Sequence, residues 1–232
     1  SCRRIVNGLK ELHIDMAQVE GIFISHEHSD HIAGLQQLLK RFDIPVYTKQ
    51  GTWREIQDKL VVPKNQLIEL TKGSLTLGNL IVEPFAVSHD AADPIGINVF
   101  SGKDKATVVT DTGIISDDIL HRIDDSTLLV LEANYDPHML RFGPYQPFLK
   151  QRVASDEGHL SNEMAAQALL MMKRPDFMQV ILAHRSENNN NAVLVTQTIG
   201  KMLVDGGVRI GPEMKLQHGQ PNEIVSMQSI KR

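Results

Sequence analysis

The chain has 232 residues, 41% of them hydrophobic, and a formal net charge of -4. That apolar content suffices for one large core or two modest ones, and the slight acidity removes any global attraction to nucleic acid or an anionic membrane, so a polyanion would need a local basic patch. Cys2 is the only cysteine, which excludes an internal disulfide, a thiolate zinc cage and a thioredoxin-type pair, and no apolar run approaches the roughly 20 residues of a membrane span.

The chain opens on Ser1-Cys2-Arg3-Arg4-Ile5-Val6, which reads like the interior of a domain. We therefore expect natural residues before Ser1, and otherwise one domain over 1–232 in a soluble, cytoplasmic protein. Residues 3–12 have helical spacing, with Ile5, Leu9 and Leu12 expected on one face. Gly21-Ile22-Phe23-Ile24 reads as a short buried strand over 21–25 and runs into Ser25-His26-Glu27-His28-Ser29-Asp30-His31. A strand that ends in such a cluster of imidazoles and carboxylates is a place to hold metal ions. On an extended segment His26 and His28 point the same way and can share one ion. Asp30 and His31 can turn toward a second ion once the chain leaves the strand.

From Asp30, apolar residues at Ile32, Leu35, Leu38, Leu39 and Phe42 predict a helix, with Ser29 or Asp30 as its N-cap. Ile44 to Tyr47 reads as a strand, followed by a helix through Trp53 and Ile56. Residues 67–110 change character: short apolar runs are broken by Gly73, Gly78-Asn79, Pro84 and Gly102, the pattern of antiparallel strands and hairpins. Further strands are expected over Ala106 to Thr110, Thr127 to Leu131 and Gln179 to Ala183, and helices over 116–122, 161–173 and 192–205, the last closed by Asp205-Gly206-Gly207. Strands flanked by helices, with meander content in the middle, suggest an α/β fold of two sheets covered by helices.

Several later strands end on a ligand-type side chain. His89 follows an apolar run, Asp111 ends Val108-Val109-Thr110, and His184 ends Val180-Ile181-Leu182-Ala183. His159 stands just before an expected helix start. Singly each is weak; together they place donors along one edge of a sheet. His13, His121, His138 and His218 lack such a setting and read as surface or packing histidines.

The order His26-x-His28-x-Asp30-His31, then His89, Asp111 and His184, resembles the metallo-β-lactamase superfamily from about residue 20 to 190. The resemblance implies an αββα sandwich of two mixed β-sheets with helices on the outer faces and a dinuclear centre, and an N-terminal ββ hairpin that would precede Ser1. It assigns His26, His28 and His89 to one ion and Asp30, His31 and His184 to the other, with Asp111 bridging. A cysteine-free set of this kind suits Zn²⁺, Mn²⁺ or Fe²⁺. Val87 to Pro94, Leu131 to Asp136, Met139-Leu140-Arg141-x-Gly143-x-Tyr145, Leu149-Lys150-x-Arg152, Gly158 to Asn162 and Ala183-His184-x-Ser186 resemble the YycJ/WalJ-like branch. That branch implies DNA exonuclease activity.

Two divalent ions about 3.5–4 Å apart can generate a bridging hydroxide near neutral pH and clamp a phosphoryl oxygen. Asp30 is expected to orient or accept a proton from that water. His159, similar to the extra histidine of phosphodiesterase relatives, is the candidate general acid, and Glu132, just past a strand, the carboxylate that fixes His159 or a ligand imidazole. Arg141, Lys150, Arg152 and Arg185, with Tyr135, Tyr145 and Phe148 interleaved, are expected to bind the backbone and bases of single-stranded nucleic acid. The leading expectation is a 5′-to-3′ exonuclease acting on single-stranded DNA. The alternatives are a hydrolase of a small phosphodiester or thioester, and a metal-stabilised regulatory protein without turnover. A basic, aromatic channel at the site would favour the nuclease; a closed metabolite-sized pocket would favour the small-molecule hydrolase.

Overall fold

A computed structural model describes residues 1–71, 73–220 and 223–225. After helix α1 (Cys2–Glu11), strands β1 (Ile22–Phe23), β2 (Val46–Thr48) and β3 (Leu67–Glu69) pair in parallel as one small sheet. Helices α2 (Ser29–Ile32), α3 (Leu35–Leu39) and α4 (Gln50–Lys59) connect them. The second sheet has the order β10-β9-β8-β7-β6-β5-β4. Its antiparallel half is β4 (Leu75–Leu77), β5 (Leu80–Ala86), β6 (Ile95–Ser101) and β7 (Asp104–Val109). Its parallel half adds β8 (Leu128–Glu132), β9 (Met178–Ala183) and β10 (Met214–His218) to β7, so this larger sheet is mixed. Helices α5 (Asp117–Ile123), α6 (Pro137–Phe142), α7 (Pro147–Val153), α8 (Asn162–Met171) and α9 (Ala192–Asp205) complete the chain order.

Strand alternation creates the layers, because successive side chains point to opposite faces. On β2, Val46 packs with Ile32, Leu35, Trp53 and Ile56 of the helices, whereas Tyr47 packs with Phe23, Ile95 and Leu77 of both sheets. On the large sheet, Leu129, Leu131, Val180 and Leu182 pack with Leu169 of α8 and Ile199 of α9. The result is the expected helix–sheet–sheet–helix stack. Ser116, Ser161 and Asn191 each accept a hydrogen bond from a backbone N–H of the following helix, which starts α5, α8 and α9 close to the expected positions.

Three local expectations are corrected. The helix predicted from Asp30 through Phe42 breaks after Ile32, because Gly34 packs against the backbone of Ser1 and Cys2, where an added Cβ would overlap. Its N-cap is His28, neither Ser29 nor Asp30. Helix α1 turns Cys2, Val6 and Leu9 inward, leaving Ile5 and Leu12 each 45% exposed. No helix among the described residues is long and apolar enough to cross a membrane.

Candidate metal centre

The donors converge where strands of both sheets end. The extended chain after β1 delivers His26 and His28, and α2 delivers Asp30 and His31. The segment after β5 carries His89, the turn after β7 Asp111, and the residue after β9 His184. Asp111 and His184 both have left-handed backbones, at φ 58° and 52°. This conformation is strained for a residue with a Cβ and typically costs about 1–3 kcal/mol. It turns each side chain off its strand axis toward the others.

Ligand-type atoms of His26, His28 and His89 lie within 4.8 Å of one another, as do those of Asp30, His31 and His184 and those of His26, His31 and Asp111. His89 Nε2 stands 3.3 Å from His28 Nδ1. Asp111 faces both groups: Oδ2 is 3.4 Å from His31 Nε2, and Oδ1 is 3.4 Å from His184 Nε2 and 3.8 Å from His89 Nε2. His26 Nε2 is buried without a hydrogen-bond partner, and Asp111 Oδ2 has only its approach to His31 Nε2, which falls short of a hydrogen bond. A buried acceptor without a donor is costly in a protein alone, whereas a divalent cation satisfies both atoms; the donor set fits a hard or borderline metal. All seven expected ligand residues are therefore together.

The surroundings fix the tautomers. His89 Nδ1 donates to the Gly158 carbonyl at 3.1 Å, which leaves the Nε2 lone pair facing the cluster. Gly158 is required at that contact, because an added Cβ would overlap the carbonyls of Arg152 and Val153. Glu132, fully buried at the end of β8, accepts from His184 Nδ1 at 2.7 Å and His159 Nδ1 at 2.8 Å on one oxygen. Its other oxygen accepts from Leu160 N at 3.1 Å and Thr112 N at 3.3 Å. Both imidazoles thus turn Nε2 away from Glu132, and His184 Nε2 faces Asp111 and Asp30. Asn134 Nδ2 donates to the His184 carbonyl at 2.8 Å, which helps hold the unusual backbone.

Burial, reinforced by the neighbouring His31, pushes His26 down to about 3, so its imidazole is neutral and ready to bind. Burial also lowers His89. Burial opposes charge on His184, yet contacts with Asp30 and Glu132 outweigh it and push that imidazole up to about 11. Burial likewise works against ionised Asp111 and Glu132, but the surrounding histidines hold both carboxyls below the ordinary range. The contact with His184 does the same for Asp30.

The expected substrate residues separate. Tyr145, Arg152 and Arg185 line a cleft of about 330 Å³ together with His159 and His184. Arg152 is not free in it, because its guanidinium forms a two-pronged ion pair with Asp90, whose Oδ1 is 3.4 Å from His89 Nε2. Arg141 and Lys150 are outside that lining: Lys150 Nζ donates to the Arg141 carbonyl at 2.8 Å, and the Arg141 guanidinium sits 5.3 Å from the Phe142 ring centroid. Tyr135, expected to stack on bases, is core, packed with Leu140 and Val153. Phe148 is exposed. Sequence reasoning missed Asp90 and Asn134 as supporting residues; the adjacency of Asp90 to His89 was the available signal.

The Beta-lactamase superfamily domain model matches residues 5–184 of this chain. The chain is 34% identical over 223 residues to the exodeoxyribonuclease YycJ of Bacillus anthracis, covering 95% of this chain and 84% of that protein. It is 30% identical over 235 residues to the exodeoxyribonuclease WalJ of Streptococcus pneumoniae, covering 99% and 87%. Among solved structures, the metallo-beta-lactamase fold protein YhfI of Bacillus subtilis superposes with a TM-score of 0.62 at 16% identity, over 85% of this chain and 74% of that one. The chain belongs to the beta-lactamase superfamily and, within it, to the YycJ/WalJ group.

Proposed function

We propose that this member of the beta-lactamase superfamily is a DNA exonuclease that uses two divalent ions, Zn²⁺ or Mn²⁺ foremost and Fe²⁺ as a third fit. It degrades single-stranded DNA from the 5′ end in the cytoplasm. The observation that carries the reading is the cleft beside the ligand cluster, whose lining sets Arg152, Arg185 and Tyr145 next to His159 and His184. The names of the two curated relatives agree with it.

In this reading His26, His28 and His89 would hold one ion and Asp30, His31 and His184 the other, with Asp111 available to both. When bound, the ions supply Lewis acidity that activates water at neutral pH and offsets charge on the phosphoryl oxygens. Asp30, at the exposed rim, orients the attacking water and takes its proton. His159, fixed through Nδ1 by Glu132, presents Nε2 to the leaving oxygen and supplies the proton it needs. Asp90 holds Arg152 at the edge of the site, where the guanidinium can meet the phosphate that flanks the scissile one.

The test is cleavage of 5′-labelled single-stranded DNA by protein loaded with Mn²⁺ or Zn²⁺, with Asp111→Asn as control and bis(p-nitrophenyl) phosphate in parallel. Shortening of the DNA by the wild type alone supports the nuclease, and the product ladder gives the polarity. Cleavage of only the small diester would replace the reading with a small-molecule phosphodiesterase.

A further inference from the structure

The cleft beside His159 and His184 has a divided lining. Tyr145, Leu149 and Val153 give it an aromatic and aliphatic wall, part of the apolar cluster built on Tyr135 and Leu140. Asn134, Ser186 and Asn188 give it amide and hydroxyl groups. Arg152 is paired with Asp90, Glu187 adds a carboxylate to the lining, and Arg185 keeps its Nη1 buried without a hydrogen-bond partner. An apolar wall with amides at its edge suits a flat, neutral ring that makes hydrogen bonds. A volume of about 330 Å³ is at the lower end for small-molecule sites, which run from about 300 to 1,000 Å³, and suits one nucleoside rather than a stacked pair.

We infer that this cleft is the subsite for a single nucleoside, the one whose oxygen leaves the scissile phosphate, and that Tyr145 stacks on its base. The inference rests on the nuclease reading above and adds a specificity-determining residue to it. His159 sets the side of the bond: it lines the cleft, and with Nδ1 engaged by Glu132 only Nε2 can reach a leaving oxygen. In the step, the water oxygen bonds to phosphorus and the P–O bond to the nucleoside in the cleft breaks. His159 gives its proton to that oxygen, and the water's proton passes to Asp30. Room for one nucleoside selects the terminal residue of a strand, which is the physical basis of removal one unit at a time.

The experiment compares short single-stranded oligonucleotides that carry either an ordinary terminal nucleotide or a terminal abasic tetrahydrofuran unit, each made at the 5′ and at the 3′ end. Stacking of one base on an aromatic side chain is worth about 1–3 kcal/mol, so the wild-type enzyme should lose about 5- to 150-fold in kcat/KM on the abasic substrate at the end it degrades. Tyr145→Leu keeps apolar bulk against Leu149 and Val153 and should show little difference between the two substrates. Tyr145→Phe should restore the difference. An equal abasic penalty in wild type and Tyr145→Leu, or none in wild type, would overturn the inference while the nuclease reading stood. Wild-type protein inert toward every oligonucleotide would overturn the nuclease reading, and this inference with it.

Discussion

Replacing Glu132 by glutamine changes one atom of a fully buried side chain and disturbs four hydrogen bonds. The carboxylate accepts from His184 Nδ1, His159 Nδ1, Leu160 N and Thr112 N at 2.7, 2.8, 3.1 and 3.3 Å. Glutamine offers one acceptor oxygen and one amide NH₂. With its oxygen toward the imidazoles, the NH₂ abuts two backbone N–H groups and leaves them unsatisfied, at about 1–3 kcal/mol each, or roughly 2–6 kcal/mol in all. With the amide turned over, both histidines must offer Nδ1 as an acceptor. Their protons then move to Nε2, and His184 loses the lone pair with which it can bind metal. Either orientation is costly, so Glu132→Gln should weaken metal binding by about 10–100-fold, the usual effect of losing a partner that orients a ligand. Zinc affinity measured by competition with a chromophoric chelator, beside thermal unfolding of the metal-free protein, separates the two orientations. Unchanged affinity together with an unchanged unfolding midpoint would refute the role of Glu132.

His159→Ala should keep its metal, measured by elemental analysis, and slow DNA cleavage by about 10²–10⁴-fold; loss of metal would make His159 a ligand, and unchanged turnover would remove it from the proton transfer. Metal uptake at pH 7.5 should release at least one proton, because metal-free His184 holds its proton up to about 11 whereas His26, at about 3, has none to give. Calorimetry in buffers of different ionisation enthalpy reads this release, and heats independent of buffer would contradict it. The raised value has a definite sign for stability: the His184 contribution to the metal-free fold is fully present below its ordinary value near 6.5 and is lost as pH rises toward 11, so the urea midpoint should fall across that window. Leu169→Ala, at a fully buried position of α8, should cost about 2–5 kcal/mol in urea denaturation; a loss under about 1 kcal/mol would mean that the helix layer packs loosely there.

The sequence by itself brought seven candidate ligands into view, because imidazoles and carboxylates at the ends of apolar runs carry their chemistry in their identity and their order resembles that of the superfamily. His26, His28, Asp30, His31, His89, Asp111 and His184 all reach the cluster. Helix starts at Ser116, Ser161 and Asn191 were legible for a similar reason, since capping is local. Long-range packing was not legible. The break at Gly34 depends on the backbone of Ser1 and Cys2, more than thirty residues earlier, and β10 takes its place only by pairing with β9. Helices α6 and α7 are short and held by contacts outside their own segments, so Tyr135 read as a base-stacking residue until the fold gave it to the core, and the pairing of Arg152 with Asp90 was not visible. Only the tertiary structure decided those partnerships, because a side chain with several possible uses takes the one its neighbours in space leave open. Glu132 marks the boundary: its place after a strand suggested a carboxylate that fixes one histidine, and the fold made it the common brace of two.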